Sequence, residues 1–308
     1  MNFKSRNIVS IWDFTKDEVE FILDSAEEMV PIARGEETNT ALSGKILATL
    51  FYEPSTRTRF SFESAMKRLG GSTVGFADPS GTSFKKGETL ADTIKMVDAY
   101  SDVIVLRHPQ EGSARLAAEF SSKPVINAGD GAGQHPTQTL LDLFTIRQAK
   151  GKIEGNKIVF VGDLKYGRTV HSLAYALSMF GPELNFVAPE TLQMPKEVVE
   201  HVTACDTKVC SGNKLEDFIN DADVVYVTRI QKERFPDEAE YQKVAHIYQI
   251  KNTLLQNVKD DLIIMHPLPR VDEIAPEVDK TPHARYFEQA FNGIPVRMAL
   301  LKLVLGVS

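Results

Sequence analysis

Cysteine is scarce in this sequence: Cys205 and Cys210 are the only two in 308 residues. Neither has a His or Cys partner at metal-ligand spacing, so they read as free thiols of a reducing compartment, which sets aside a disulfide scaffold and a zinc site. A basic excess is also missing. The chain has 35 Lys and Arg against 42 Asp and Glu, a formal charge of −7, where a nucleic-acid binder would carry positive charge. No apolar run reaches transmembrane length, and the most apolar stretch, Ile294 to Val307, is broken by Arg297 and Lys302. Met1-Asn2-Phe3-Lys4 does not read as the opening of a signal peptide. These absences lead us to expect a cytoplasmic protein that binds neither nucleic acid nor membrane.

What is present is ordinary globular material, 43% hydrophobic and 25% charged, long enough for two domains. One stretch organises the rest. Ser55-Thr56-Arg57-Thr58-Arg59 lies between an apolar run, Ile46 to Phe51, and a segment with helical spacing at Phe62, Ala65, Met66 and Leu69, which Gly70-Gly71 ends. A strand that turns into a helix here leaves backbone N–H groups open at the helix start and adds three hydroxyls and two guanidinium groups. Cations at the positive end of a helix dipole call for a compensating anion, and a phosphate fits.

Thr15-Lys16-Asp17-Glu18 forms a capping box ahead of an apolar stripe at Val19, Ile22, Leu23, Ala26 and Val30. After the Ser55 segment, a short strand is expected near 73–76, then a polar loop over 78–88, a helix over 89–100 and a buried strand from Val103 to Arg107. A helix over 113–120 and a strand over 124–127 follow. Ala128 to Gln134 reads as a flexible turn into His135-Pro136-Thr137-Gln138, which starts a helix reaching Lys150. Gly151 to Gly155 marks a change of domain. Beyond it, strands are expected near 158–162, 184–188, 223–228 and 262–265. Helices are expected near 168–180, 195–204, 214–220, 238–247 and 252–257, with a last one over roughly 294–305. This alternation predicts an α/β fold of two doubly wound parallel-sheet domains, with the C-terminal helix packing back on the first. The expected division is 1–134 with 292–308, a connecting helix over 135–150, and a second domain over 151–291.

Polar residues sort by place. Arg57, Arg107, His135 to Gln138, Arg168, Arg229 to Gln231, and His266-Pro267-Leu268-Pro269-Arg270 each fall just past an expected strand or at the start of the next helix. In a parallel sheet those ends share one edge, where open α/β sheets bind ligands. A lone Arg there would be solvated surface. The recurrence, against an acidic background, implies a ligand or two with several negative charges.

The stretches 55–59, 107–112, 135–139, 162–172, 229–234 and 266–270 together resemble the aspartate/ornithine transcarbamoylase superfamily, and within it the aspartate carbamoyltransferase catalytic chains. The similarity runs from the first helix to the last, whereas Ser-Thr-Arg-Thr-Arg alone would mark only the wider superfamily. The resemblance implies attack of the L-aspartate α-amine on carbamoyl phosphate, the committed carbamoylation of de novo pyrimidine synthesis, with no metal or organic cofactor. It implies that Ser55, Thr56, Arg57 and Thr58 hold the phosphate, while Thr58, Arg107 and His135 donate to the carbonyl oxygen as it becomes an oxyanion. The Gln138 amide carbonyl and the Leu268 backbone carbonyl would accept from the carbamoyl NH₂, in a turn stiffened by Pro267 and Pro269 where a cis bond fits. Arg168, Arg229 and Gln231 would grip the two carboxylates of aspartate.

The loop over 80–88 is similar to the segment that, in this family, reaches a neighbouring subunit's site. Ser83 and Lys86 match its functional positions. Ser-Phe-Lys-Lys is one residue shorter than the family pattern, so Lys85 and Lys86 both stand as candidates, and Lys86 keeps the Lys-Gly-Glu register. Shared sites imply a homotrimer, and regulatory chains are a further partner the resemblance raises. An ornithine-specific relative would show Cys in the His-x-Leu-Pro motif, where this chain has Pro267. A dinucleotide site in the second half lacks its glycine spacing, since Gly162 to Gly167 is not G-x-G-x-x-G. A non-catalytic anion-binding chain would not need the whole constellation.

Overall fold

The computed structural model describes residues 1–230, 237–244 and 247–307. The chain divides into two compact units, Met1–Phe144 with Phe291–Ser308, and Thr145–Ala290. No described helix is long and apolar enough to cross a membrane.

The first unit runs α1 (Lys16–Glu28), α2 (Val30–Arg34), β1 (Ile46–Phe51), α3 (Thr56–Arg68), β2 (Ser72–Phe76), α4 (Leu90–Tyr100), β3 (Val103–His108), α5 (Ser113–Phe120) and β4 (Val125–Asp130). Helix α6 (Pro136–Lys150) follows. The capping box forms as expected: Thr15 Oγ1 accepts from Glu18 N–H, and Glu18 accepts from Thr15 N–H. The strands pair in parallel in the order β2-β1-β3-β4, with Phe51 opposite Arg107 and His108 opposite Asp130. Ala48 and Leu50 of β1, with Tyr52 just past it, share one face and pack into a core with Ile94, Ile104, Leu106, Ala117 and Val125. Residues 291–308 belong to this unit, and Ser5 N–H donates to Val304 O at 2.8 Å. The C-terminal helix therefore returns to the first domain.

The second unit holds β5 (Lys157–Val161), α7 (Arg168–Ser178), β6 (Glu183–Val187), α8 (Lys196–Ala204), β7 (Val209–Gly212), β8 (Val224–Val227), α9 (Glu238–Val244) and β9 (Ile263–Met265). Helix α10 (Tyr286–Leu305) closes the chain. All strand pairs are parallel, in the order β7-β6-β5-β8-β9. Val159, Val161, Val225, Val227 and Ile264 build the core, closed by Tyr248, Ile250 and Tyr286.

Several expectations are corrected. The flexible turn expected from Ala128 is strand as far as Asp130, because the buried Asn127 amide donates to Val9 O and Asp130 Oδ1 and ties the segment down. The helix expected at 214–220 is a pair of 3₁₀ turns, Leu215–Asp217 and Ile219–Asp221, since Asp217, Asn220 and Asp221 favour turns over a helix interior. The one expected at 252–257 is a 3₁₀ turn, Asn252–Leu255, whose first N–H bonds Glu277 Oε1 at 2.9 Å. Strand β7 was not foreseen: it is a short edge strand with Ser211 and Gly212 in it, paired only to β6. Helix α10 begins at Tyr286, well before Ile294, because Pro295 lies inside the helix and not at its start.

Gly162 follows β5 with φ +121°, and a Cβ there would lie 2.2 Å from Thr228 O. This close approach joins the ends of β5 and β8. Gly162→Ala is expected to destabilise the second unit by about 3 kcal/mol or more. Thermal unfolding followed by circular dichroism should show a melting temperature lower by roughly 5–10 °C.

Candidate active site

In each sheet the neighbours of the first strand lie on both sides of it, so connections leave β1 and β5 in opposite directions and open a crevice at the carboxyl ends. In the first unit that switch point lies between β1 and β3. Tyr52 to Ser55 leads from β1 into α3, whose first turn carries Thr56, Arg57 and Thr58. Ser55 is the N-cap, but its side chain makes no capping bond. Thr58 is buried, Ser55 half-buried, and Thr56 and Arg57 face solvent.

Arg107 is the penultimate residue of β3, and its side chain is only 14% exposed. One terminal nitrogen lies 3.1 Å from Glu53 Oε2, and the other donates to Ala128 O at 3.2 Å. Burial holds the Arg107 guanidinium below its ordinary pKa, Glu53 opposes that shift, and the like charge of Arg57 adds to it. The two arginines are thus close enough to repel, a geometry that favours an anion between them. Glu53 was not singled out in the sequence, although its place two residues before Ser55 put it at the same strand end.

The turn before α6 is rigid. Asp130 Oδ1 accepts from Asn127 Nδ2 at 3.0 Å and from Gln134 N–H at 2.8 Å, and its Oδ2 accepts from Gly112 N–H at 2.9 Å. One buried carboxylate therefore joins the turns after β3 and β4 and delivers His135, 4% exposed, to the head of α6. The His135 carbonyl accepts from Gln138 N–H at 2.9 Å, so His135 and Gln138 share the helix's first turn. Gln138 Nε2 donates to Asp142 Oδ1 at 2.9 Å, which turns its amide oxygen the other way.

The 78–89 loop follows β2. Thr82 caps a 3₁₀ turn, Ser83–Lys86, and Phe84 meets Tyr52 edge-on at 5.5 Å. Ser83, Lys85 and Lys86 are all exposed.

In the second unit the switch point lies between β5 and β8. Arg168 is the first residue of α7 and Arg229 follows β8 by two residues; both are half-buried. The Asp163–Gly167 turn is braced by Tyr166 N–H on Asp163 Oδ1 at 3.0 Å and by His171 Nε2–H on Leu164 O at 2.7 Å. Gln231 lies outside the described residues. After β9, Leu268 stands at φ +57° ahead of a cis bond to Pro269. His266, 2% exposed, accepts Leu268 N–H on Nδ1 at 2.8 Å and donates from Nε2 to Glu273 Oε1 at 2.7 Å. Glu273 Oε2 also accepts from Val271 and Asp272 N–H, so one carboxylate clamps the whole turn. The spacing of Glu273 from His266 gave no sequence signal. Arg270 differs from the other cations gathered by sequence: it pairs with Asp279, bonds Tyr286 Oη at 3.0 Å and lies 5.0 Å from that ring's centroid, a structural role. Cys205 does have a histidine neighbour, its Sγ 3.8 Å from His201 Nε2 one turn back.

Burial raises the Glu273 carboxyl, but the bonds from His266 and the backbone outweigh it and hold the group below the ordinary carboxyl range. A depressed carboxyl stabilises the fold above the unfolded pKa, and that contribution is lost as pH falls through the folded one. Glu273→Gln should therefore cost about 2–3 kcal/mol at pH 7. The gap from the parent, measured by urea unfolding, should shrink below about pH 4.5.

Comparison with known proteins agrees with this geometry. Residues 6–148 match the aspartate/ornithine carbamoyltransferase carbamoyl-P binding domain, and residues 154–304 match the Asp/Orn binding domain of the same enzymes. The chain is 59% identical to the aspartate carbamoyltransferase catalytic subunit of Methanocella arvoryzae, over 100% of this chain and 99% of that one. It is 60% identical to that of Thermococcus onnurineus, with the same coverage. Among solved structures, the catalytic subunit of M. jannaschii aspartate transcarbamoylase superposes with a TM-score of 0.91 at 56% identity, covering 97% of each chain. The Trypanosoma cruzi enzyme in complex with carbamoyl phosphate and aspartate superposes at 0.93 with 41% identity, covering 98% of each. Two family models that together span most of the chain, and relatives near 60% identical over its whole length, place this protein in the aspartate/ornithine carbamoyltransferase family.

Proposed function

We propose that the chain transfers the carbamoyl group of carbamoyl phosphate to the α-amine of L-aspartate, giving N-carbamoyl-L-aspartate and phosphate. The observation that carries the reading is the largely buried Arg107, held by Glu53 and the Ala128 carbonyl, with the like charge of Arg57 close by and His135 just ahead of α6. Relatives near 60% identity named as aspartate carbamoyltransferases favour aspartate over ornithine, as does Pro267 in the His-x-Leu-Pro motif.

The amine lone pair attacks the carbonyl carbon and a C–N bond forms. The carbonyl oxygen takes the displaced electron pair, and Thr58, Arg107 and His135 donate to it. Each such donor is typically worth about 3 kcal/mol of barrier. The C–O bond to phosphate then breaks, and the leaving group's charge falls to Ser55, Thr56, Arg57, Thr58 and the open N–H groups of α3. The proton released by the amine passes to the departing phosphate. Gln138, with its NH₂ engaged by Asp142, offers its carbonyl to the carbamoyl NH₂, and the Leu268 carbonyl, in the turn closed by Pro269, does the same. Arg168, Arg229 and Gln231, with Lys86, hold the aspartate carboxylates.

The reading extends to a cytoplasmic homotrimer with shared sites in de novo pyrimidine synthesis, with regulatory chains as further partners. Ser83 with Lys86, or Lys85 in its place, enters the neighbour's site. Edge strand β2 leaves Val74 47% exposed, and α4 leaves Met96 50% and Tyr100 61% exposed, apolar surface that supports association.

In steady-state assays Arg57→Ala should lower kcat by about 10²–10³-fold. Arg229→Ala should mainly raise the aspartate KM, by about tenfold or more. Unchanged kinetics in both, or carbamoylation of ornithine in place of aspartate, would contradict the assignment. Mixing inactive Ser55→Ala and Lys86→Ala chains should restore part of the activity through hybrid trimers. No recovery in trimers shown to exchange subunits would remove the shared loop.

A further inference from the structure

We infer that Phe84 is a positioning residue: its ring, set against Tyr52 of the same chain, aims Ser83 and Lys86 into the neighbouring subunit's site. The inference rests on the shared-site reading and names an aromatic anchor that takes no part in the chemistry.

The 78–89 loop is stiff without having a core. Asp78 Oδ1 accepts from Ser80 N–H at 2.7 Å, and Thr82 Oγ1 donates to Pro79 O at 2.7 Å around the first 3₁₀ turn, Pro79–Gly81. Thr82 Oγ1 also accepts from Phe84 N–H at 3.3 Å, at the start of the second turn, Ser83–Lys86. Gly87, at φ +88°, closes that turn by donating its N–H to Phe84 O at 3.0 Å. No residue from 78 to 87 is buried. A segment bonded to itself keeps its shape but not its direction, so its aim depends on contacts with the body of the chain.

Tyr52 supplies a fixed surface for it. This residue is 9% exposed, directly follows β1, and donates its N–H to Arg107 O at 2.9 Å. Its ring lies 5.1 Å from Phe76 at the end of β2 and 4.9 Å from His108 at the end of β3. Three strand ends therefore hold the ring that Phe84 meets at 5.5 Å and 73°. At the loop's exit, Thr93 Oγ1 on α4 donates to Glu88 Oε1 at 2.7 Å. Phe84 stays 48% exposed, so it adds little to the core; what the contact fixes is direction.

A 3₁₀ turn has three residues per turn, so side chains three apart eclipse. Ser83 and Lys86 stand at that spacing and share one face of the turn, while Phe84 and Lys85 take the other two. With Phe84 turned to its own chain, Ser83 and Lys86 are presented together on a face pointing elsewhere. Lys85 does not share that face, which selects Lys86 as the cation the loop delivers.

The test uses hybrid trimers of Ser55→Ala and Lys86→Ala chains. Each holds one complete site, made by the pocket of a Lys86→Ala chain and the loop of a Ser55→Ala chain. Phe84→Ala added to the Ser55→Ala chain, the loop donor, should lower the rescued kcat/KM for aspartate by about 3–10-fold. The value is taken per hybrid trimer, counted by native mass spectrometry. The same substitution on the Lys86→Ala chain, whose loop is already inactive, should leave it within about twofold. Phe84→Tyr on the donor keeps the ring and should also stay within about twofold. A loss that is equal in both placements, or larger on the Lys86→Ala chain, would overturn the inference, because the ring would then serve its own chain's fold or assembly. So would no loss in either placement, or a loss that Phe84→Tyr shares. If the unsubstituted pair shows no rescue in trimers that exchange subunits, the shared-site reading falls and this inference with it. Rescue that ignores where Phe84→Ala sits overturns this inference alone.

Discussion

A guanidinium that has lost most of its water yet kept its charge dominates the first unit. Arg107 is held by Glu53 on one side and by the Ala128 carbonyl on the other, with the charge of Arg57 close by. One carboxylate cannot satisfy two neighbouring cations, so the edge retains a positive field after folding. A field of this kind is fixed before any reactant arrives. It can stabilise charge that develops in a transition state without the reorganisation water would require.

The parallel sheet makes this arrangement possible. The inner strands β1, β3, β5 and β8 are buried along almost their whole length, and polar groups emerge together at the edge where they end. Rigid turns then aim those groups. Asp130 joins two turns, Glu273 clamps a third, and three histidines act as struts: His108 accepts from Ser113 or Gln110, His171 donates to Leu164 O, and His266 links Leu268 to Glu273. Burial keeps His108 and His171 below the ordinary imidazole pKa, consistent with neutral struts and not acids or bases.

The long strands and the Ser55–Arg59 helix start were legible in the sequence because each is a local event: an apolar run, a turn, a capped helix. Strand β7 was not, since three half-exposed residues and an exposed Ser211, ending in Gly212, look like a loop until β6 supplies a partner. Ala128 to Asp130 looked flexible because its glycine suggests a turn, but Asn127 and Asp130 bond across it. The last helix was expected from about Ile294 and in fact begins at Tyr286, with Pro295 inside it.

The sequence by itself determined which residue types stand at the strand ends and the order in which they come, because backbone preferences and apolar periodicity act over a few residues. Only the tertiary structure decided which of those cations are engaged elsewhere and which carboxylates support the rest. Arg270 is paired with Asp279. Arg297, which in the sequence merely interrupts an apolar run, reaches Ser61 and Thr137, residues 236 and 160 positions away. Partnerships at that separation depend on how helices pack and on which groups lose water together, and no local pattern encodes either.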